Sequence, residues 1–162
     1  MKTLLLARHA KSSWEDEQVD DINRPLNERG KKDAPMMASH LRQSDFCVDQ
    51  IVSSDAHRAY STAEIFAASL KVQLQHDHGL YLASSADIVK KARQLNDQFS
   101  SVMLVGHNPS MTEAVNALCA DAGIEDMPTC SVAIIEFDVD RWAEIDSSQA
   151  TLCAFEYPKK LG

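Results

Sequence analysis

The chain has 162 residues, a length that fits a single domain over residues 1–162 with a substantial buried core. Apolar residues make up 44% of it and charged residues 25%, as in ordinary globular proteins, and the formal net charge is −8. This charge argues against a general nucleic-acid-binding protein, because a phosphate backbone requires a basic surface. A local basic pocket within an acidic surface is still compatible with it.

The four cysteines are widely spaced and include no CxxC pair, so they fit neither a zinc site nor a disulfide framework. We expect reduced, mostly buried thiols and a cytoplasmic protein. The apolar run after Met1 is too short for a signal peptide, and Arg8 interrupts it. No run approaches the ~20 apolar residues of a membrane-spanning helix, so we expect no membrane partner.

The first predicted element is a strand over residues 3–7, which ends abruptly at Arg8 and His9. Residues 12–29 are mostly polar and predict a loop near that strand end. Asn27 suits the N-cap of a helix. Apolar residues recur at helical spacing to about residue 42, where we expect this helix to end. Proline removes a backbone donor and crowds the preceding turn, so this helix either kinks at Pro35 or begins only near residue 33.

The next part of the chain predicts another strand followed by a helix. Residues 49–53 predict the second strand, and residues 57–70 carry an amphipathic stripe that places Arg58 in the first helical turn. The following residues, 71–83, favour a short strand and a loop.

Ser85 predicts the N-cap of a helix over residues 86–98. A further apolar strand, residues 101–105, leads through His107 into a helix over residues 109–119, whose first residue is a proline. Proline suits a first helical turn because that turn's amide has no partner within the helix.

The tail predicts two strands, residues 131–137 and 151–156, joined by a polar turn and therefore paired antiparallel. Together the elements predict an α/β fold, a three-layer α/β/α arrangement with a mixed, mostly parallel central sheet.

Arginines and histidines follow three of these strands. Arg8 and His9 follow the first, Arg58 the second, and His107 a later one. In open α/β sheets ligands bind beyond the carboxyl ends of the strands. An arginine fork holds two phosphoryl oxygens, and a neutral imidazole attacks phosphorus. Each residue alone is more often structural or exposed, but their common location predicts a site that holds and attacks a phosphoryl group.

Three segments resemble the histidine phosphatase superfamily. They are residues 6–12 (Leu-Ala-Arg-His-Ala-Lys-Ser), 53–63 (Ser-Ser-Asp-Ala-His-Arg-Ala-Tyr-Ser-Thr-Ala) and 105–109 (Val-Gly-His-Asn-Pro). Within the superfamily, the small size, the Arg-His-Ala-Lys-Ser opening and residues 24–30 (Arg-Pro-Leu-Asn-Glu-Arg-Gly) are similar to the SixA-type phosphohistidine phosphatases. The resemblance spans most of the chain and implies the phosphoglycerate mutase-like fold.

The resemblance implies that His9 is the nucleophile and becomes phosphorylated, while Arg8, Arg58 and His107 complete the catalytic, phosphate-binding pocket. It implies neither a metal nor an organic cofactor. The expected partner is a phosphorylated protein of the histidine phosphotransfer type or a small phosphorylated substrate.

Larger members of the superfamily carry an acid after the second arginine, but the matching residues 78–82 hold no carboxylate. The SixA-type members are short of that acid too. An alkoxide must be protonated as it leaves, because the pKa of the alcohol it forms is near the ~15.7 of water. Imidazole instead leaves as a neutral base whose conjugate acid has a pKa of about 6.5. A site without an acid therefore favours P–N bonds.

Two alternatives remain open. A small-molecule phosphate-ester phosphatase needs a carboxylate that reaches the leaving group, and the candidates are Asp16, Asp77 and Asp87. A non-catalytic phosphate-binding module would not need a nucleophile at His9. Three further polar residues either line the rim of the pocket or are solvated loop residues, and we leave them outside the catalytic set: Lys11, Ser12 and Arg24.

Overall fold

A six-stranded sheet organises the computed structural model, which describes all 162 residues. Its strands are β1 (Lys2–Arg8), β2 (Gln50–Ser53), β3 (Gln73–His76), β4 (Ser101–Gly106), β5 (Val132–Phe137) and β6 (Ala150–Glu156). Their order across the sheet is β3-β2-β4-β1-β5-β6. Only β5 runs antiparallel to its neighbours, β1 and β6. The predicted mixed, mostly parallel α/β sheet is confirmed.

Helices cover both faces of the sheet. They are α1 (Glu28–Gln43), α2 (His57–Leu70), α3 (Ser85–Arg93) and α4 (Ser110–Leu118). Successive residues of a strand point to opposite faces, so Leu4 and Leu6 pack with α3 and α4, whereas Leu5 and Ala7 pack with α1 and α2. Because β1 is covered on both sides, its apolar run is continuous rather than alternating.

Helix α1 begins where Asn27 predicts. The Asn27 side chain accepts a hydrogen bond from the Gly30 amide, and the helix continues for 16 residues through Pro35. The alternative start near residue 33 is therefore wrong. Pro35 lies on the exposed side of the helix and costs one backbone bond, which the cap and the buried face of the helix offset.

Helix α3 differs from its prediction at both ends. Ser84, not Ser85, is the N-cap, in a capping box with Asp87, and the helix ends at Arg93 instead of residue 98. The segment beyond it is held by partners distant in sequence, because Lys2 Nζ donates to the carbonyls of Asp97 and Phe99. Helical periodicity cannot predict such contacts.

Helix α2 has its predicted bounds. Strand β4 is one residue longer than predicted, and each end of α4 lies within one residue of its predicted position. The cysteines differ from expectation, since Cys119 and Cys130 are buried but Cys47 and Cys153 are exposed. No helix combines the length and apolar character needed to cross a membrane.

Candidate active site

The carboxyl ends of three adjacent strands, β2, β4 and β1, form one edge of the sheet. Arg8 lies opposite Gly106 in the β1–β4 pair, and Ser53 lies opposite Val105 in the β2–β4 pair, so the residues that follow these strands converge. They line a pocket of about 330 Å³, formed by Arg8, His9, Lys11, Ser12, Trp14, Arg24, Arg58, His107, Asn108 and Thr129. All four predicted site residues are thus brought together.

We call Arg8, His9, Arg58 and His107 the floor of this pocket. The rim loop is residues 12–27, between β1 and α1. Lys11, Ser12 and Arg24, whose placement the sequence left open, line the pocket as well.

His9 has a defined tautomer. Its Nδ1 lies 2.7 Å from the carbonyl oxygen of Ala10, and a carbonyl only accepts, so Nδ1 carries the proton and Nε2 keeps its lone pair. Burial, and secondarily the neighbouring His107 and the Arg58 and Arg8 guanidinium groups, lowers the pKa of His9 from 6.5 to about 3. The imidazole is therefore neutral near pH 7, as a nucleophile requires.

The backbone around His9 is fixed from both sides. Its amide donates to the Gly106 carbonyl (3.1 Å), and its own carbonyl accepts from the Cys130 amide (2.9 Å). The next amide, of Ala10, donates to Thr62 Oγ1 at 3.0 Å, and that hydroxyl donates to the Arg58 carbonyl at 2.8 Å. The first turn of α2 and the end of β1 are thereby held in one arrangement.

His107 lies beside His9, with the two ring centroids 5.3 Å apart. Its Nε2 is 2.8 Å from Ser54 Oγ, an oxygen that also accepts from the Ala56 amide at 3.2 Å. The Ser54 hydroxyl proton is thus available to His107 Nε2, an arrangement that places the ring proton on Nδ1. Burial, followed by the charge of Arg58, lowers the pKa of His107 to about 4.

Two buried side-chain nitrogens in the whole chain have no hydrogen-bond partner, and both belong to the floor: Arg8 Nε and His107 Nδ1. Arg8 is otherwise anchored by Nη1, which donates to the Met127 carbonyl at 2.7 Å. Burial lowers the pKa of Arg8, but a guanidinium stays charged in proteins. Buried donors are normally paired, so these two nitrogens are the side-chain groups of the floor left free to meet an acceptor.

Arg58 is buried and contacts the rim loop. Its Nη1 donates to the Asp21 carbonyl oxygen at 2.7 Å, and its Nη2 donates to Asp21 Oδ2 at 3.1 Å. The Asp21 carboxylate also accepts from the Tyr81 hydroxyl (2.6 Å) and Arg24 Nη1 (3.1 Å). These hydrogen bonds, that of Tyr81 foremost, lower the pKa of Asp21 to about 2, so it is ionised at neutral pH.

The sequence did not identify Asp21 or Tyr81. Both lie in polar or irregular stretches, and Asp21 is 37 residues from Arg58 and 60 from Tyr81 along the chain. Tyr81 also packs edge-on against His107, with centroids 5.6 Å apart. No local pattern marks these contacts; a signal would require the two segments to be compared across related chains.

The three carboxylates named for the ester-phosphatase alternative lie outside the pocket lining. Asp77 pairs with the Lys91 ammonium group and caps the Gly79 amide. Asp87 belongs to the capping box of α3, and Asp16 is an exposed residue of the rim loop. None of them is placed to protonate a leaving group in this pocket.

No group of three or more His, Cys, Asp or Glu side chains is arranged to hold a metal ion. Two histidines lie at the end of β3: His76 packs on Tyr60 with centroids 6.1 Å apart, and His78 Nδ1 lies 2.8 Å from Asp55 Oδ2.

Comparison with known proteins agrees with this geometry. Residues 4–81 match the family model of the histidine phosphatase superfamily, branch 1. Over these residues the chain is similar to members of this superfamily. The matched segment contains Arg8, His9 and Arg58, while His107 lies beyond it on β4–α4.

Solved structures of SixA proteins are similar to this chain over nearly its whole length. SixA from Agrobacterium tumefaciens, a proposed phosphohistidine phosphatase, is 26% identical with a TM-score of 0.83, covering 97% of this chain and 98% of that one. The protein histidine phosphatase SixA in complex with tungstate shares the fold at 20% identity, with a TM-score of 0.83 and 99% of each chain covered.

A phosphatase of small molecules shares the fold as well. The mycobacterial glucosyl-3-phosphoglycerate phosphatase has a TM-score of 0.71 at 18% identity, covering 97% of this chain and 100% of that one. The family match and the SixA neighbours support phosphatase activity for this chain, while the fold alone leaves both substrate classes open.

Proposed function

We propose that the protein is a phosphohistidine phosphatase that hydrolyses the P–N bond of phosphorylated histidine through a covalent intermediate on His9. The observation that carries this proposal is the tautomer of His9. Its Nδ1–H is committed to the Ala10 carbonyl, so the unprotonated Nε2 is the ring nitrogen available in a pocket whose other floor residues, two arginines and a histidine, can donate hydrogen bonds. A phosphate-binding module without turnover has no need of such a lone pair.

In the first step His9 Nε2 attacks phosphorus in line. The new P–Nε2 bond forms as the P–N bond to the substrate ring breaks, and its electron pair stays on the leaving nitrogen. A substrate ring protonated on its other nitrogen departs as neutral imidazole. His9 then carries a positive charge, which the Ala10 carbonyl stabilises through the Nδ1–H bond.

In the second step water attacks the phosphoryl group on His9. The P–Nε2 bond breaks, its electron pair returns to Nε2, and the water protons pass to inorganic phosphate, so His9 is neutral again. Throughout, Arg8, Arg58 and His107 donate to the phosphoryl oxygens. Catalysis thus rests on positioning and on donors fixed before the reaction.

No carboxylate lines the pocket, which supports a P–N substrate over an alkyl ester. Asp21 is the carboxylate bonded to Arg58, and it is ionised and engaged by two arginines and Tyr81, so it holds no proton to give. The natural substrate on this proposal is a phosphorylated protein of the histidine phosphotransfer type, with a small phosphorylated molecule as the alternative partner.

The test compares phosphohistidine with an alkyl phosphate monoester, using the native protein, His9→Ala and, as matched control, His76→Ala. His76 is exposed and outside the pocket. We expect a strong preference for phosphohistidine, loss of turnover in His9→Ala alone, and an acid-labile phosphoryl group on His9 after rapid quenching. Ester hydrolysis at an equal or higher rate would favour the small-molecule phosphatase. Binding without turnover would favour a phosphate-binding module.

A further inference from the structure

One large aromatic side chain at the pocket is exposed. Trp14 is 74% exposed, and of the three large exposed hydrophobic residues, which also include Met1 and Leu82, it alone lines the pocket. A single exposed apolar residue is common on protein surfaces and by itself implies nothing. Trp14 differs from such a residue because it lines the pocket and is held in one position there.

The indole of Trp14 is held rather than free. The Arg24 guanidinium carbon lies 3.2 Å from the centroid of the indole and covers one of its faces. Arg24 is itself fixed, because it donates to Ser12 Oγ (2.6 Å), to the Ser13 carbonyl (3.0 Å) and to Asp21 Oδ1 (3.1 Å). Such a side chain loses little conformational entropy when a ligand binds to its open face.

The backbone that leads into Trp14 is fixed as well. The Ser13 amide donates to the Pro25 carbonyl at 2.8 Å, and Ser12 forms an antiparallel bridge with Leu26. The two ends of the rim loop are thus paired to each other. The structure therefore presents one flat aromatic surface at a defined place on the rim.

The geometry of phosphoryl transfer directs the leaving group toward that rim. In-line attack places the leaving atom opposite the nucleophile, across phosphorus. His9 is only 8% exposed and belongs to the floor, whereas Trp14 is largely exposed at the opening. A leaving group opposite His9 consequently points away from the floor and passes the rim.

We propose that Trp14 is a specificity residue that stacks its open indole face on the imidazole ring of the phosphohistidine substrate. The proposal rests on the proposed function and names the group that the rim recognises. Flat aromatic rings gain from offset stacking, whereas an amine or alkyl leaving group offers no ring to stack. The indole thus favours a substrate ring without touching the phosphoryl group.

The decisive experiment uses two P–N substrates that differ by the ring: phosphoimidazole and phosphoramidate, whose leaving group is ammonia. For Trp14→Ala we expect kcat/KM for phosphoimidazole to fall by about fivefold to tenfold, in the range of an aromatic pair. The kcat/KM for phosphoramidate should change by less than about twofold, and Trp14→Phe should restore most of the phosphoimidazole activity.

Leu82→Ala is the matched control, since Leu82 is 82% exposed and does not line the pocket. It should leave both substrates unchanged. Equal losses on both substrates in Trp14→Ala would overturn the inference and show that Trp14 only supports Arg24. No loss on either would overturn it also, while leaving the proposed function intact. If the native protein turned over neither substrate, the proposed function would fail and the inference with it.

Discussion

The floor and the rim of the pocket use charge in opposite ways. The floor holds donors with no partner, Arg8 Nε and His107 Nδ1, beside a neutral imidazole. The rim loop holds an ionised carboxylate, Asp21, whose oxygens accept bonds from Arg58, Arg24 and Tyr81. A site that binds an anion needs hydrogen-bond donors without partners at the position of the anion. It also needs ion pairs that hold the side chains carrying those donors. On the proposed function, the floor supplies the groups that react with and bind the phosphoryl group, and the rim holds them in position.

We expect Arg58→Ala to have the largest effect on kcat/KM, because Arg58 is the floor residue that forms hydrogen bonds directly with the rim loop. The substitution removes a charged donor to phosphoryl oxygens and should lower kcat/KM for phosphohistidine by about 100- to 1,000-fold. Steady-state kinetics measure it. Arg141→Ala, in an exposed pair with Glu144, is the control and should keep native rates. A loss below tenfold would show that Arg58 does not contact the transferred group.

A smaller effect should follow from Asp21→Asn, which keeps the shape of the side chain and removes its charge. Arg58 and Arg24 then lose a charged acceptor, and we expect kcat/KM to fall by about tenfold through their looser placement. Asp16→Asn in the same loop should have no effect, since Asp16 is exposed and outside the pocket lining. A rise in rate would mean the reverse: Asp21 would be competing with the phosphoryl group for Arg58.

A third effect concerns stability on acidification rather than rate, and it isolates the floor. The pKa of His9 is lowered to about 3 in the folded state, so between about pH 6.5 and 3 the unfolded chain binds the extra proton. The free energy of unfolding therefore falls as the pH falls through this window, by up to about 1.4 kcal/mol per pH unit for His9.

His9→Gln removes that titration. Urea unfolding at several pH values between 6.5 and 4 should show a shallower decline for His9→Gln than for the native protein, since all other titrating groups are shared. His76→Gln should decline like the native protein, because His76 is exposed. Parallel curves for the native protein and His9→Gln would show that His9 titrates alike in the folded and unfolded states.

Sequence periodicity predicted the elements that carry the floor. Helix α2 has its predicted bounds, β1 ends at Arg8, and β4 ends one residue before His107. These elements are predictable because each is buried on a continuous apolar face, and the period of that face is a local property.

Predictions failed where distant partners decide the conformation. The chain beyond Arg93 leaves the helix that its periodicity predicts, since Lys2 and Trp142 bond to the carbonyl of Phe99 across the fold. For the same reason, the sequence did not decide whether Lys11, Ser12 and Arg24 line the pocket or are solvated loop residues. Their place depends on how the rim loop closes on itself through Ser12 and Leu26.

The sequence alone determined which residues lie at the carboxyl ends of the strands, because the apolar periodicity and the end of each strand depend on residues that are neighbours in the chain. Only the tertiary structure decided how those residues are charged and held. The pKa of His9 is lowered chiefly by burial within the fold, and Arg58 is held by Asp21, 37 residues away. Burial and hydrogen-bond partners set protonation and orientation, and both arise only when segments distant in the chain pack together.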